Sequence, residues 1–235
     1  MSKTIGILGG MGPLATVDLF RKIVTLTDAS CDQEHIHVIV DNNTEIPDRT
    51  SYIISGGKNP EDSLIKSAVK LQSMGADVII MPCNTAHYFY DKIAANINIP
   101  FLNMIEETAK ELLRLNPSIK KVGLLATEGT CRAGIYDNIF EKYGIELIKP
   151  NDLAQQHVTD LIYGIKQGKK SMDLTGFYEV ISMLKGMGSE TLILGCTELP
   201  LAFDMYNINE NCIDPTKTLA CSAIRFAGKK VIGEC

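Results

Sequence analysis

The chain has 235 residues, 45% of them hydrophobic and 22% charged, with a formal net charge of −5 at pH 7. That length allows one large domain or two small ones, buries enough surface to hold a core without disulfide or metal, and carries the composition of an ordinary globular chain. With 23 basic against 28 acidic residues and no basic run, no nucleic acid partner is expected, and no apolar stretch nears the roughly 20 residues of a membrane span.

Taken in chain order, the apolar runs at 4–8, 36–41, 78–81, 122–126, 145–148, 192–194 and 212–213 predict buried strands with amphipathic helices between them. The first helix is expected over 13–27. Segment 42–60 is rich in Asn, Thr, Ser, Pro and Gly and predicts a long binding loop or lid. The next helix carries its own punctuation: Asn59 as N-cap, Pro60 at the first position, Glu61 and Asp62 near the positive end, and Gly75 as terminator. Its apolar positions Leu64, Ile65, Ala68, Leu71 and Met74 share one face. A helix is expected over 152–167, and another over 219–227 after Pro215 opens the tail. Strands alternating with helices predict an α/β fold with mostly parallel sheet.

Two segments echo each other. Thr4-Ile5-Gly6-Ile7-Leu8-Gly9 resembles Lys121-Val122-Gly123-Leu124-Leu125-Ala126, and Ile79-Ile80-Met81-Pro82-Cys83-Asn84-Thr85 resembles Leu192-Ile193-Leu194-Gly195-Cys196-Thr197. The offsets, 117 from Gly6 to Gly123 and 113 from Cys83 to Cys196, nearly agree. Two half-chain units fit that spacing, each with an apolar strand ending in a cysteine and a threonine.

The seven cysteines are Cys31, Cys83, Cys131, Cys196, Cys212, Cys221 and Cys235. No pair is spaced C-x-x-C, and Met1-Ser2-Lys3-Thr4 leads into glycines rather than an export signal. All seven are therefore expected as reduced thiols in a cytoplasmic protein. Context separates two of them. Cys83 and Cys196 each fall just past the carboxyl end of a buried strand, the edge where open α/β sheets bind ligands. Asn84 and Thr85 follow one, Thr197 and Glu198 the other, and a helix N-terminus there would lower a thiol's pKa. Two opposed thiols suit stereoinversion at carbon, one thiolate removing a proton from one face and the other thiol delivering one to the opposite face. The remaining five have no motif and read as structural or surface thiols.

Other patterns compete. Gly10-x-Gly12-x-x-Ala15 after a strand fits the dinucleotide fingerprint, with Asp41 as a ribose-binding acid, so an NAD(P)-binding oxidoreductase is one alternative. Against it, Pro13 deletes an N–H from the turn, which leaves a small-anion site or a plain tight turn. His87 follows Cys83 by four residues, the spacing of a metal pair or a Cys–His nucleophile, but only Cys196 offers a third ligand and no metal is expected. His35-x-His37 has no visible partner.

The motifs Gly-Ile-Leu-Gly-Gly-Met-Gly-Pro at 6–13, Ile46-Pro47-Asp48-Arg49-Thr50, Met81-Pro82-Cys83-Asn84-Thr85-Ala86-His87 and Gly195-Cys196-Thr197-Glu198-Leu199-Pro200 together resemble the aspartate/glutamate racemase family. The resemblance runs from residue 5 to about residue 224 and favours the aspartate racemase branch, because Glu198 stands where related glutamate racemases carry His. It implies a cofactor-independent racemase acting on an acidic amino acid, aspartate before glutamate, with Cys83 and Cys196 as catalytic acid and base. It also implies two pseudo-symmetric lobes around a cleft, 1–104 with 213–235 and 105–212, and a homodimer. Arg49 and Lys166 match the carboxylate-binding residues of that family. An amino acid substrate further draws on Asn84, Thr85, Thr127 and Thr197 as hydrogen-bonding groups and on Met11 as a wall. A broad-specificity amino acid racemase, maleate isomerase and hydantoin racemase are the nearby alternatives, and a non-catalytic amino acid sensor is a more distant one.

Overall fold

Ile5–Gly9 forms β1, buried along its whole length, as a central strand covered on both faces requires. The computed structural model describes residues 3–233. After β1 come α1 (Pro13–Leu26), β2 (Val38–Asn42), α2 (Arg49–Ser55), α3 (Glu61–Ser73), β3 (Val78–Ile80), α4 (Tyr90–Ala94) and α5 (Met104–Leu115). The second half supplies β4 (Lys121–Ala126), α6 (Glu128–Arg132), α7 (Ile135–Phe140), β5 (Glu146–Ile148), α8 (Asp152–Lys166), α9 (Thr175–Gly186), β6 (Thr191–Gly195), α10 (Glu198–Tyr206), β7 (Cys212–Ile213) and α11 (Pro215–Phe226). These strands make two parallel sheets with orders β2-β1-β3 and β5-β4-β6-β7. The expected α/β architecture is present, and the two sheets repeat one strand order. Even the extra edge has its echo, since Phe101 bridges Ile79 in parallel where β7 pairs with β6.

Each half lends its last helix to the other sheet. Ile105, Ala109 and Leu112 of α5 pack with Val122, Leu124 and Ala126 of β4, while Leu219, Ala220, Ala223 and Ile224 of α11 pack with Ile5 and Ile7 of β1. Lys22 of α1 pairs with Asp214, the N-cap of α11, at 2.7 Å, and also with Asp18. The two exchanged helices touch, and Ser222 Oγ donates to Glu107 Oε2 at 2.7 Å between them. α11 begins at Pro215 rather than 219, because the Asp214 side chain accepts the Thr216 N–H and Pro215 is preset for the first turn.

Segment 42–60 is not all loop: α2 occupies its middle. Asp48 caps it by accepting the Ser51 N–H at 2.6 Å, and Gly56 ends it at φ 67°. None of its residues is buried, so no apolar period marks it in the sequence. The start of α3 shifts by one residue, with Pro60 as N-cap and the Asn59 side chain accepting the Glu61 N–H.

The cysteines also need a correction. Cys31, Cys83, Cys131, Cys196 and Cys212 are free, but Cys221 is disulfide-bonded. α11 buries Cys221 completely, and no spacing motif around it in the chain announces a disulfide. Cys235 lies outside the described residues. Among the described residues no helix is long and apolar enough to cross a membrane.

The glycine-rich turn is a packing device. The Gly10 N–H donates to Thr16 Oγ1 at 2.9 Å, and a Cβ on Gly10, whose φ is +96°, would stand 2.1 Å from the Asn43 carbonyl oxygen. Asp41 is engaged by Ser67 Oγ at 2.6 Å and Lys70 Nζ at 2.8 Å, which removes the acid that the dinucleotide alternative needed. Gly10→Ala is expected to cost at least about 2 kcal/mol of stability, read as a lower urea midpoint, through strain at positive φ and collision with backbone.

Candidate active site

The carboxyl ends of β3 and β6 deliver the two cysteines. Cys83 comes three residues after β3, just before a 3₁₀ turn at Thr85–Phe89, and Cys196 follows β6 directly, ahead of Thr197 and α10. Both line one cavity, together with Met11, Arg49, Asn84, Thr85, Thr127, Lys166 and Thr197. Every site residue expected from the sequence is thus brought to one place. Asp48, Thr50 and Glu198 complete the lining.

Arg49 opens α2, and its Nη1 donates to the carbonyls of Ile46 (3.3 Å) and Pro47 (3.0 Å) while its buried Nε has no partner. Lys166 ends α8, but its amine does more than offset the helix dipole. Nζ lies 4.0 Å from Glu198 Oε1 and 5.1 Å from the centroid of the Tyr163 ring. Burial opposes its charge, yet Cys196, Glu198 and Cys83 together hold its pKa above the usual lysine value.

Cys196 departs from expectation. Its thiol donates to Glu198 Oε2 at 2.9 Å, and burial together with the Glu198 carboxylate pushes its pKa well up, against the pull of Lys166. The helix start does not dominate. Thr197 Oγ1 donates to the same oxygen at 3.2 Å.

Thr85 and Thr127 do not stand as free donors either. Their hydroxyls lie 3.0 Å apart, and Thr130 Oγ1 closes a triangle at 2.9 Å from Thr85 and 3.0 Å from Thr127. Thr127 also accepts the Thr130 N–H as the cap of α6. Asn84 Oδ1 accepts from Tyr136 Oη at 2.5 Å, and its buried Nδ2 has no partner. Sequence reasoning missed Thr130 and Tyr136. No signal marked the threonine, and the tyrosine lies 52 residues from its asparagine.

His87 has a structural place. Its Nδ1 bonds the Cys83 carbonyl at 2.8 Å and its Nε2 accepts the Met104 N–H at 3.1 Å, so neither ring nitrogen is open to a metal. Among the described residues no group of three or more His, Cys, Asp or Glu is arranged to hold a metal ion.

The cavity is nearly shut. It encloses about 10 Å³, room for about one water. Outside it lies a larger pocket of about 280 Å³, walled in part by Gly12, Leu14, Tyr163 and Leu201. The two share Met11, Asp48, Arg49, Lys166, Thr197 and Glu198, which form the partition between them. α2 seals one side, with Thr50 packed so closely on Gly129 of α6 that a Cβ there would meet Thr50 Oγ1 at 2.9 Å.

Two parallel sheets whose strand ends bring paired cysteines to one cavity beside Arg49 and Lys166 define a class. The chain belongs to the Asp/Glu/hydantoin racemase family, whose model matches residues 8–223. It is 32% identical to the broad-specificity amino-acid racemase RacX of Bacillus subtilis, over 94% of this chain and 96% of that one. The aspartate racemase of Picrophilus torridus superposes with a TM-score of 0.85 at 34% identity, covering 97% of this chain and 96% of that one. A glutamate racemase of Francisella tularensis, solved with D-glutamate, shares the fold at a TM-score of 0.68 and 17% identity, over 95% of this chain and 80% of that one.

His87 makes a stability prediction. Burial lowers its pKa to about 4, while in the unfolded chain the group titrates near its ordinary value of about 6.5. Between those values the unfolded state binds more protons, so the contribution is complete above about pH 6.5 and is lost as pH falls toward 4. Urea midpoints measured across that window should decline by up to about 3 kcal/mol of stability more than those of His87→Gln.

Proposed function

We propose that this racemase interconverts the enantiomers of an acidic amino acid, aspartate before glutamate, by a two-base mechanism without PLP. One observation carries the reading. Cys83 and Cys196, from the ends of two different sheets, line the same closed cavity as Arg49 and Lys166.

A dicarboxylic substrate enters only as the cavity widens toward the adjoining pocket, which shares both cations; it then has one carboxylate for each, and the orphaned Arg49 Nε is a donor awaiting an acceptor. The thiol of Cys196, bonded to Glu198, is the proton donor of the form described here. That leaves Cys83 as the base for whichever enantiomer binds this form. Its thiolate removes the α-proton, charge moves onto the α-carboxylate held by Lys166 and the Asn84 N–H groups, and Cys196 delivers a proton to the opposite face. The enzyme then carries the reverse protonation pattern and is ready for the other enantiomer.

Lys166, its amine 4.0 Å from Glu198 Oε1, is placed as a charged partner for a carboxylate. The name of the Bacillus subtilis relative favours broad specificity as a second reading, since Asp48 and Glu198 set two acids beside the two cations in the lining.

We take the lobes to be 1–104 with 213–235 and 105–212, a division that the exchanged helices support. By the same family resemblance we take the enzyme to be a homodimer. A cytoplasmic setting would keep the two catalytic thiols reduced.

In deuterium oxide each turnover is expected to place solvent deuterium at Cα. Cys83→Ser and Cys196→Ser should each lower the rate on the order of 1,000-fold while leaving the melting temperature unchanged. Near-wild-type racemisation by either variant, followed by circular dichroism, would sink the two-base mechanism. Arg49→Ala should raise KM for aspartate roughly ten- to hundredfold, the loss of a charge-assisted bond, and raise KM for alanine far less. Equal effects on the two substrates would remove Arg49 from side-chain recognition.

A further inference from the structure

Asn84 follows the base Cys83 and lines the cavity, so the direction in which its amide points bears on the chemistry. An asparagine amide presents an acceptor on one side and two donors on the other, and a carboxylate is stabilised by the donors alone. A free amide can turn either way. This one is held by Tyr136.

Tyr136 stands on α7 and is fully buried, its ring 5.4 Å from that of Phe140. It packs in the cluster that covers the second sheet, whereas Asn84 belongs to the first half of the chain. It is not among the residues lining the cavity. Its oxygen is 2.5 Å from Asn84 Oδ1, a separation that suits O–H···O and is too short for N–H···O. Burial drives the phenol pKa well above its ordinary value, so the hydroxyl keeps its proton and donates. Oδ1 is thereby committed to Tyr136, and Nδ2, buried and without a partner, is the part of the amide left for a ligand.

We propose that Tyr136 is a positioning residue for racemisation, locking the Asn84 amide from the opposite half of the molecule so that both N–H groups meet the substrate's α-carboxylate. The proposal rests on the racemase reading above. As the α-proton leaves, negative charge builds on the carboxylate oxygens, and donors already aimed there need no reorganisation. Without the phenol hydroxyl the amide gains a second orientation that sets an oxygen against the carboxylate. The loss falls mainly on the transition state, where that charge is largest, and therefore on kcat more than on KM.

The test is a double-mutant cycle on aspartate racemisation in the full-length enzyme. Tyr136→Phe is expected to lower kcat about tenfold with little change in KM, and Asn84→Ala to lower it about 100-fold, the range found for lost oxyanion donors. In the Asn84→Ala background, Tyr136→Phe should change nothing further, because no amide remains to be oriented. An unchanged kcat in Tyr136→Phe overturns the proposal. So does the same fractional loss in both backgrounds, which would make the hydroxyl a matter of packing. Should Tyr136→Phe fail to fold, Asn84→Asp decides: it keeps an acceptor for Tyr136 but removes both N–H groups. Activity as low as that of Asn84→Ala is then expected, and wild-type activity overturns the proposal. A wild-type enzyme that racemises no amino acid would instead overturn the reaction assigned above, a different outcome from any of these.

Discussion

The exchange of α5 and α11 between the two sheets is the constraint on which the rest depends. α11 completes one face of the first sheet beside Leu19 and Ile23 of α1, and α5 completes one face of the second beside Ile135, Tyr136 and Phe140 of α7. Neither half has a complete core of its own, so the sheets are held in a fixed relation. That relation puts the ends of β3 and β6 at one cavity. Lys22 bridging Asp18 to Asp214 ties α11 to α1, and Ser222 bonding Glu107 ties the two exchanged helices to each other.

Inside the cavity the two halves contribute matched but unequal parts. Each supplies a cysteine past a strand end, but only Cys196 has a carboxylate two residues on that accepts a hydrogen bond from its thiol. The cations come one from each half, Arg49 on the short helix α2 and Lys166 at the end of α8. They differ in freedom as well as in chemistry: Lys166 is already paired with Glu198, while Arg49 is held by carbonyls and keeps one donor unspent. On the proposed function, one satisfied and one unsatisfied cation would distinguish the two ends of a dicarboxylate before any contact with carbon is made.

Much of this was legible in the sequence. Buried strands of a parallel sheet are continuous apolar runs, so β1, β3, β4 and β6 could be seen directly, and their echo announced two halves. The cysteines could be singled out because a strand end followed by small polar residues is a recognisable setting. What stayed hidden has physical causes. No residue of α2 is fully buried, and it leaves no apolar period. The Tyr136–Asn84 bond joins residues that only the tertiary fold brings together, and no motif marks Cys221 for a disulfide. The raised pKa of Cys196 depends on burial and then on a carboxylate within 3 Å, neither of which a local motif encodes. The helix start seen in the sequence is present, but it is the weaker influence.

The triangle of Thr85, Thr127 and Thr130 has a consequence for how tightly any carboxylate is held there. Three hydroxyls own three protons, and a closed ring of three bonds uses all of them. A ligand that accepts from two corners leaves the ring a single proton for its own edges, so two bonds are gained as two are surrendered. Such an exchange would trade neutral bonds for charge-assisted ones without changing their number. The ring itself fixes the directions of its donors, so only an acceptor of matching spacing would draw them away.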